Sequence, residues 1–211
     1  MRNFFLYGLA GVGKDTVASI LESVGYHTLA LADGVRDEYT RWLHAADYRA
    51  NRAKLIEIGE AYKTIYGQDV WCDRTLDRLR EIHDIRGMAK SGHIETIGSP
   101  DFQAQTFRAV AAAGFVIRDG RYNHEFDYWV QQDFVPVLIQ TTDAVRMDRM
   151  RRRDNVEPDA DMMAFERAHF IDQTPAYVLT NDGSPGDLSQ QIAQMLYTFS
   201  LPTSSNQEVD E

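Results

Sequence analysis

The stretch Asn3-Phe4-Phe5-Leu6-Tyr7-Gly8-Leu9-Ala10-Gly11-Val12-Gly13-Lys14-Asp15-Thr16 decides how this chain is read. Its first five residues suit a short buried strand, the glycines that follow suit a tight loop, and Asp15–Val24 has the apolar spacing of an amphipathic helix. Glycines lack a Cβ, so backbone N–H groups can close around an anion. The helix start adds partial positive charge, and a lysine at this place can reach the outer phosphates of a nucleoside triphosphate. Gly-x4-Gly-Lys in a strand–loop–helix setting therefore predicts a phosphate-binding loop, with Gly11, Val12, Gly13, Lys14, Asp15 and Thr16 as its nucleotide contacts. ATP and Mg²⁺ are the expected cofactors. The place after the lysine usually holds the hydroxyl that meets the metal. Here it is Asp15, and Thr16 one residue later is the candidate metal ligand.

Composition narrows the partners. A net charge of −10 over 211 residues argues against general binding to nucleic acid or to an anionic membrane. Eighteen arginines stand against four lysines. Guanidinium forks grip phosphate bidentately, and a compositional bias of the source genome would produce the same excess. Cys72 is the single cysteine, which excludes an intrachain disulfide and suits a core thiol. No leader peptide is evident and no apolar stretch approaches 18 residues. The expectation is a cytoplasmic protein (host cytoplasm if viral) acting on a small-molecule nucleotide, with a homodimer left open.

Short apolar runs alternating with helical periodicity predict a parallel α/β sheet. The strands expected are Asn3–Tyr7, His27–Leu31, His93–Ile97, Val135–Gln140 and Tyr177–Thr180. Helices are expected over Asp15–Val24, Gly34–Leu43, Arg52–Tyr66, Asp69–Ile85, Asp101–Ala113, Ala144–Arg153, Ala160–Ile171 and Gly186–Phe199. Phe115–Asp119 could add a strand, but Gly114–Asp133 as a whole reads as an insertion or irregular crossover. Residues 1–199 are expected to form one domain. Residues 200–211, rich in Ser, Asn and acids from Pro202 onward, read as a disordered tail.

Two further clusters carry chemistry. Asp33 ends the second predicted strand, where ligands of open parallel sheets gather, and could take a proton, hold Mg²⁺ through water, or only cap the next helix. Arg36, one turn on, could hold an acceptor phosphate. Arg146, Arg149, Arg151, Arg152 and Arg153 form the densest basic cluster, and helical spacing puts Arg146, Arg149 and Arg153 on one face. Converging guanidiniums there would stabilise a transferring phosphoryl group, which makes Arg149 and Arg153 catalytic candidates beside Lys14 and Asp33.

Gly13-Lys14-Asp15-Thr16 resembles the phage-type deoxynucleoside monophosphate kinases of the P-loop kinase superfamily. The resemblance implies a three-layer α/β/α fold with a five-stranded parallel sheet and an arginine-rich lid. Gly67-Gln68-Asp69-Val70-Trp71 is similar to an element ending the acceptor-side helices of those enzymes. It makes residues 34–90 the acceptor region, with Trp71 and Arg74 as substrate contacts and Arg52 and Arg78 as further candidates; without it these arginines are ordinary surface charges. Arg-x-x-Arg-Met-x-x-Arg-Asp over residues 146–154, an acidic helix, and Ala176-Tyr177-Val178-Leu179-Thr180-Asn181-Asp182-Gly183-Ser184 also resemble the C-terminal half of dephospho-coenzyme A kinases. By that resemblance residues 144–171 are a lid over ATP, and Asn181, Asp182 and Gly183 lie beside adenine. It spans most of residues 1–199 but not Gly114–Asp133, and it departs past the third predicted strand. The phage enzymes carry Asp-x-Arg there, whereas this chain has Thr96 and Gly98 at those places, with Glu95 or Asp101 as substitutes. The expected activity is ATP-dependent phosphorylation of a (deoxy)nucleoside monophosphate. A kinase for a hydroxyl acceptor such as dephospho-coenzyme A, or a nucleotide-binding module without turnover, stays open.

Overall fold

A computed structural model of the chain describes residues 2–43, 52–90, 112–154, 160–168 and 170–201. The elements follow in the order β1 (Asn3–Tyr7), α1 (Lys14–Ser23), β2 (His27–Leu29), α2 (Leu31–Leu43), α3 (Arg52–Tyr66), α4 (Val70–Lys90), β3 (Phe115–Gly120), α5 (Asn123–Gln131), β4 (Phe134–Gln140), α6 (Asp143–Asp154), α7 (Ala160–Ala168), β5 (Tyr177–Thr180) and α8 (Pro185–Ser200). The five strands are all parallel, in the order β2-β3-β1-β4-β5. Among the described residues no helix is long and apolar enough to cross a membrane.

β1 sits at the centre, and its side chains alternate between two cores. Phe4 and Leu6 join Val17 and Leu21 of α1 and Leu188, Ile192 and Met195 of α8 on one face. Phe5 and Tyr7 join Trp71 and Leu79 of α4 and Phe126 and Trp129 of α5 on the other. A strand covered on both faces needs an unbroken apolar run, which is what Phe4–Tyr7 supplies. The three-layer α/β/α arrangement follows.

One expectation is corrected here. The place between β2 and β1 belongs to Phe115–Gly120, with Thr28 and Phe4 both level with Val116, so Gly114–Asp133 is no insertion. It supplies a sheet strand and then α5. The predicted strand His93–Ile97 and most of the predicted helix Asp101–Ala113 lie outside the described residues, as do Glu95, Thr96, Gly98, Asp101 and the segment 202–211. The second strand is also shorter than expected. It stops at Leu29, and α2 opens at Leu31 rather than Gly34, because Asp119 on β3 caps the earlier start.

Candidate functional site

The loop Gly8–Gly13 leaves the carboxyl end of β1 and enters α1 through two glycines with left-handed backbone. Gly11 has φ 81° and Gly13, the N-cap of α1, has φ 98°. A side chain is disfavoured at both. It would also have nowhere to go: a Cβ at Gly11 would meet Arg146 O at 2.8 Å, and one at Gly13 would run into the Asn181 amide. The N-terminus of α1 carries no side-chain cap, so its amides and their partial positive charge face outward. Lys14 Nζ lies back over the loop, donating to Gly8 O at 2.5 Å and Leu9 O at 3.3 Å. Burial, with the Arg121 charge nearby, pushes its pKa down to about 8 despite Asp119 and Glu166 pulling the other way. Thr16 and Asp15 are exposed in the first turn, and Asp15 pairs with Arg118 at 3.2 Å.

The side of the loop facing α6 is stitched to two other segments. Asn181, buried past the end of β5, donates to Val12 O at 2.8 Å. Arg149 donates to Val12 O at 3.3 Å and to Asn181 O at 2.9 Å. Asp182 is fastened to Thr141 and to the Thr142 amide, bonds that hold its carboxyl below the usual range. Gly183 sits against the Ser184–Asp187 capping box that opens α8. Lys14, Arg149 and the Asn181–Gly183 loop are thus brought together. The arginines of α6 do not share one surface as their spacing suggests. Arg146 is fully buried against Gly11, Arg149 is half-buried at the loop, and Arg153 is exposed at the helix end. The missing Cβ of Gly11 is what lets α6 lean in at Arg146.

On the other side, β3 and α2 form a charged array. Asp119 accepts from Leu31 N (2.8 Å) and Ala32 N (3.1 Å), capping α2. Asp33 reaches back to Ala30 N at 2.9 Å, and its second oxygen accepts from Arg36 at 2.8 Å with Arg118 4.0 Å away. Both Asp33 oxygens are therefore engaged. Asp119 and Gly120 close β3, and Arg121 follows directly after it. Behind Arg121, the buried Glu125 accepts from the amides of Arg121 (2.7 Å) and Tyr122 (3.1 Å). Burial and the Asp119 charge push its carboxyl up to about 7, against those two hydrogen bonds.

Trp71 is buried, whereas Arg74 beside it keeps an exposed side chain. Trp71 is 5% exposed, wedged against Gly34 and Tyr62, with its Nε1 donating to Gly59 O at 3.2 Å. Arg74 lies over the Tyr62 and Trp71 rings and pairs with the buried Glu38, which also accepts from Tyr62 OH at 2.9 Å. Burial alone would raise the Glu38 pKa, but the Arg74 and Tyr62 bonds and the Arg41 charge hold it low. Asp119, Arg121, Glu125 and Glu166 went unnamed in the sequence. Of these, only Asp119 and Arg121 leave a local signal, as an acid and an arginine flanking a glycine after the apolar run Phe115–Ile117.

Anionic oxygens fit this arrangement. The glycine cradle would be filled by any Cβ, the α1 amides face outward, and the buried Arg146 has Nε and Nη2 without a hydrogen bond. Among the described residues no group of three or more His, Cys, Asp and Glu is placed to hold a metal ion.

A model of the AAA domain family matches residues 5–172. Among solved structures, TT1252 from Thermus thermophilus is similar over 95% of this chain and 98% of its own, at 19% identity and a TM-score of 0.56. A sugar kinase from Janibacter sp. HTCC2649 is similar over 95% of both chains, at 14% identity and a TM-score of 0.50. No curated protein matches the chain.

Proposed function

Because the chain belongs to the AAA domain family, we propose that it transfers the terminal phosphoryl group of ATP to a (deoxy)nucleoside monophosphate, yielding ADP and the diphosphate. The observation that carries this reading is the run of charges from α1 to α2: Arg118 of β3 pairs with Asp15 in the first turn of α1 and lies 4.0 Å from Asp33, which accepts from Arg36, while Asp119 and Arg121 are close enough to act on the Lys14 pKa. Donor and acceptor phosphates placed on these two sides would meet beside Lys14. Asp119-Gly120-Arg121 also restores the pattern that the phage deoxynucleotide kinases carry past this strand.

The glycine-loop amides and Lys14 hold the donor phosphates, and Asn181, Asp182 and Gly183 stand where adenine would lie. Arg36 and Arg121 hold the acceptor phosphate in line. An acceptor oxygen attacks the terminal phosphorus, the bond to the bridging oxygen breaks, and ADP leaves with the electron pair. Arg149, with Arg153 drawn in from the helix end, and Lys14 neutralise charge on the equatorial oxygens. Bound Mg²⁺ supplies further neutralisation of the phosphates, with Thr16, and Asp33 through water, as the residues that would hold it. An anionic acceptor needs no strong base. The engagement of both Asp33 oxygens favours that class over a neutral hydroxyl, whose proton Asp33 would have to take. In these terms α2–α4 form the acceptor side and residues 144–171 the lid, within one domain over residues 1–199.

The test is ADP production from ATP and Mg²⁺ across deoxy- and ribonucleoside monophosphates and dephospho-coenzyme A, with Lys14→Ala as the control for contaminating kinase. Turnover on monophosphates that persists within about tenfold in Asp33→Asn supports the proposal. Turnover on dephospho-coenzyme A alone, lost about 100-fold or more in Asp33→Asn, replaces it with the hydroxyl-acceptor reading. Silence with every acceptor, despite ATP binding, leaves a binding module.

A further inference from the structure

Resting on the assignment of the glycine loop to nucleotide phosphates, we infer that Glu166 is an internal stand-in for a phosphate, closing part of that loop in the nucleotide-free chain until a triphosphate displaces it. Glu166 comes from α7, far along the chain, and its Oε1 accepts the Ala10 N–H at 2.6 Å. Its Oε2 accepts from Arg146 Nη1 at 3.2 Å. One carboxylate therefore occupies a loop amide and a buried guanidinium together. A phosphate offers the same anionic oxygens to the same two donors, with more charge.

The surroundings of Arg146 point the same way. Its side chain is 1% exposed, its Nε lies 3.5 Å from Asp143 Oδ1 without a hydrogen bond, and its Nη2 has no hydrogen-bond partner. A buried cation whose Nε and Nη2 lack hydrogen bonds still has donors for an anion, and exchange of the Glu166 carboxylate for a polyphosphate would engage them. The contact also reaches Lys14, whose pKa the Glu166 charge raises. A second pair, Arg167 with Asp143, fastens α7 to α6. Displacing Glu166 undoes one of these fastenings and leaves the Arg167–Asp143 pair, so that nucleotide binding and loosening of this helix are one equilibrium. The chain's own anion lowers its apparent nucleotide affinity by the fraction of molecules in which the loop stands open.

The test is calorimetric binding of adenosine 5′-(β,γ-imido)triphosphate with Mg²⁺ to the full chain and to its Glu166→Gln and Glu166→Asp variants. Gln removes the charge and keeps the shape; Asp keeps the charge and withdraws the reach to Ala10. Both should bind about tenfold tighter than the wild type, as expected if about a tenth of wild-type molecules stand open. Hydrogen exchange at the Ala10 amide, slow in the free wild type, should quicken in both variants. If one variant fails to fold, the other decides. Equal or weaker binding by a folded variant, with the wild type binding normally, overturns the stand-in and leaves the phosphate-loop assignment intact. A wild type that does not bind the analogue overturns both.

Discussion

Replacing Lys14 with Met removes a charge that the fold holds at a cost. The ammonium is buried beside Arg121, and its pKa falls from 10.5 to about 8. That difference amounts to about 3 kcal/mol at about 1.4 kcal/mol per pH unit. The folded chain gives up this proton at lower pH than the unfolded chain, so between pH 8 and 10.5 the unfolded state binds more protons. Stability from this group is fully present above 10.5 and is lost as pH falls through 8. Integrated from pH 7 to pH 9.5, the gain is about 2 kcal/mol. The buried Tyr7 and Cys72, whose pKa values burial raises, oppose this gain at high pH in wild type and variant alike and so cancel in the comparison. Urea unfolding of wild type and Lys14→Met, both without nucleotide, at pH 7.0 and 9.5 isolates the lysine. The stability of the wild type relative to the variant should rise by about 2 kcal/mol over that interval. Parallel profiles, within about 0.5 kcal/mol, would refute the burial of this charge. Bound phosphate reverses the sign: an anion beside Lys14 pulls its pKa back up, so ATP binding near pH 8.5 should take up a proton. Titration calorimetry in two buffers of different ionisation enthalpy reads that uptake.

Gly13→Ala forces a side chain into left-handed backbone, for about 1–2 kcal/mol, and breaks the Asn181–Val12 hydrogen bond, for about 1 kcal/mol more. The melting temperature should fall by roughly 5–10 °C, as scanning calorimetry would read. Glu125 has its folded pKa raised from 4.5 to about 7, so its contribution is fully present below 4.5 and is lost as pH rises through 7. Unfolding from pH 5 to pH 8 should therefore show a loss of about 2.5 kcal/mol in the wild type that Glu125→Gln lacks. Arg36→Ala should raise the KM for the monophosphate about 10- to 100-fold while leaving the affinity for an ATP analogue within about threefold, as steady-state kinetics and calorimetry would separate.

What could be read before folding was governed by local physics. Gly8–Thr16 announces its own conformation, because glycine spacing, the preceding apolar run and the following helix are contiguous in the chain. The helix Arg52–Tyr66 is likewise bounded as its periodicity predicts. The third strand was not decidable in this way. His93–Ile97 and Phe115–Asp119 are both short apolar runs, and only pairing with β1 and β2 selects Phe115–Gly120 for the sheet. Misplacing that strand hid Asp119 and Arg121, and so half of the candidate acceptor site.

Arginine spacing predicted a shared face on α6, but depth along that face depends on how closely α6 approaches the loop, which the bare Cα of Gly11 sets. Asp33 was legible as a cap or a ligand. Only the arrival of Asp119 from another strand shows that α2 is capped from outside, while Asp33 is spent on Ala30 and Arg36. The contact of Glu166 with Ala10 has no local signature at all. The sequence by itself determined a glycine loop between strand and helix, because that shape belongs to backbone geometry over a dozen consecutive residues. Which charges surround the loop was decided by tertiary structure, because β3, α2, α6 and α7 bring them from distant parts of the chain to the carboxyl ends of the strands.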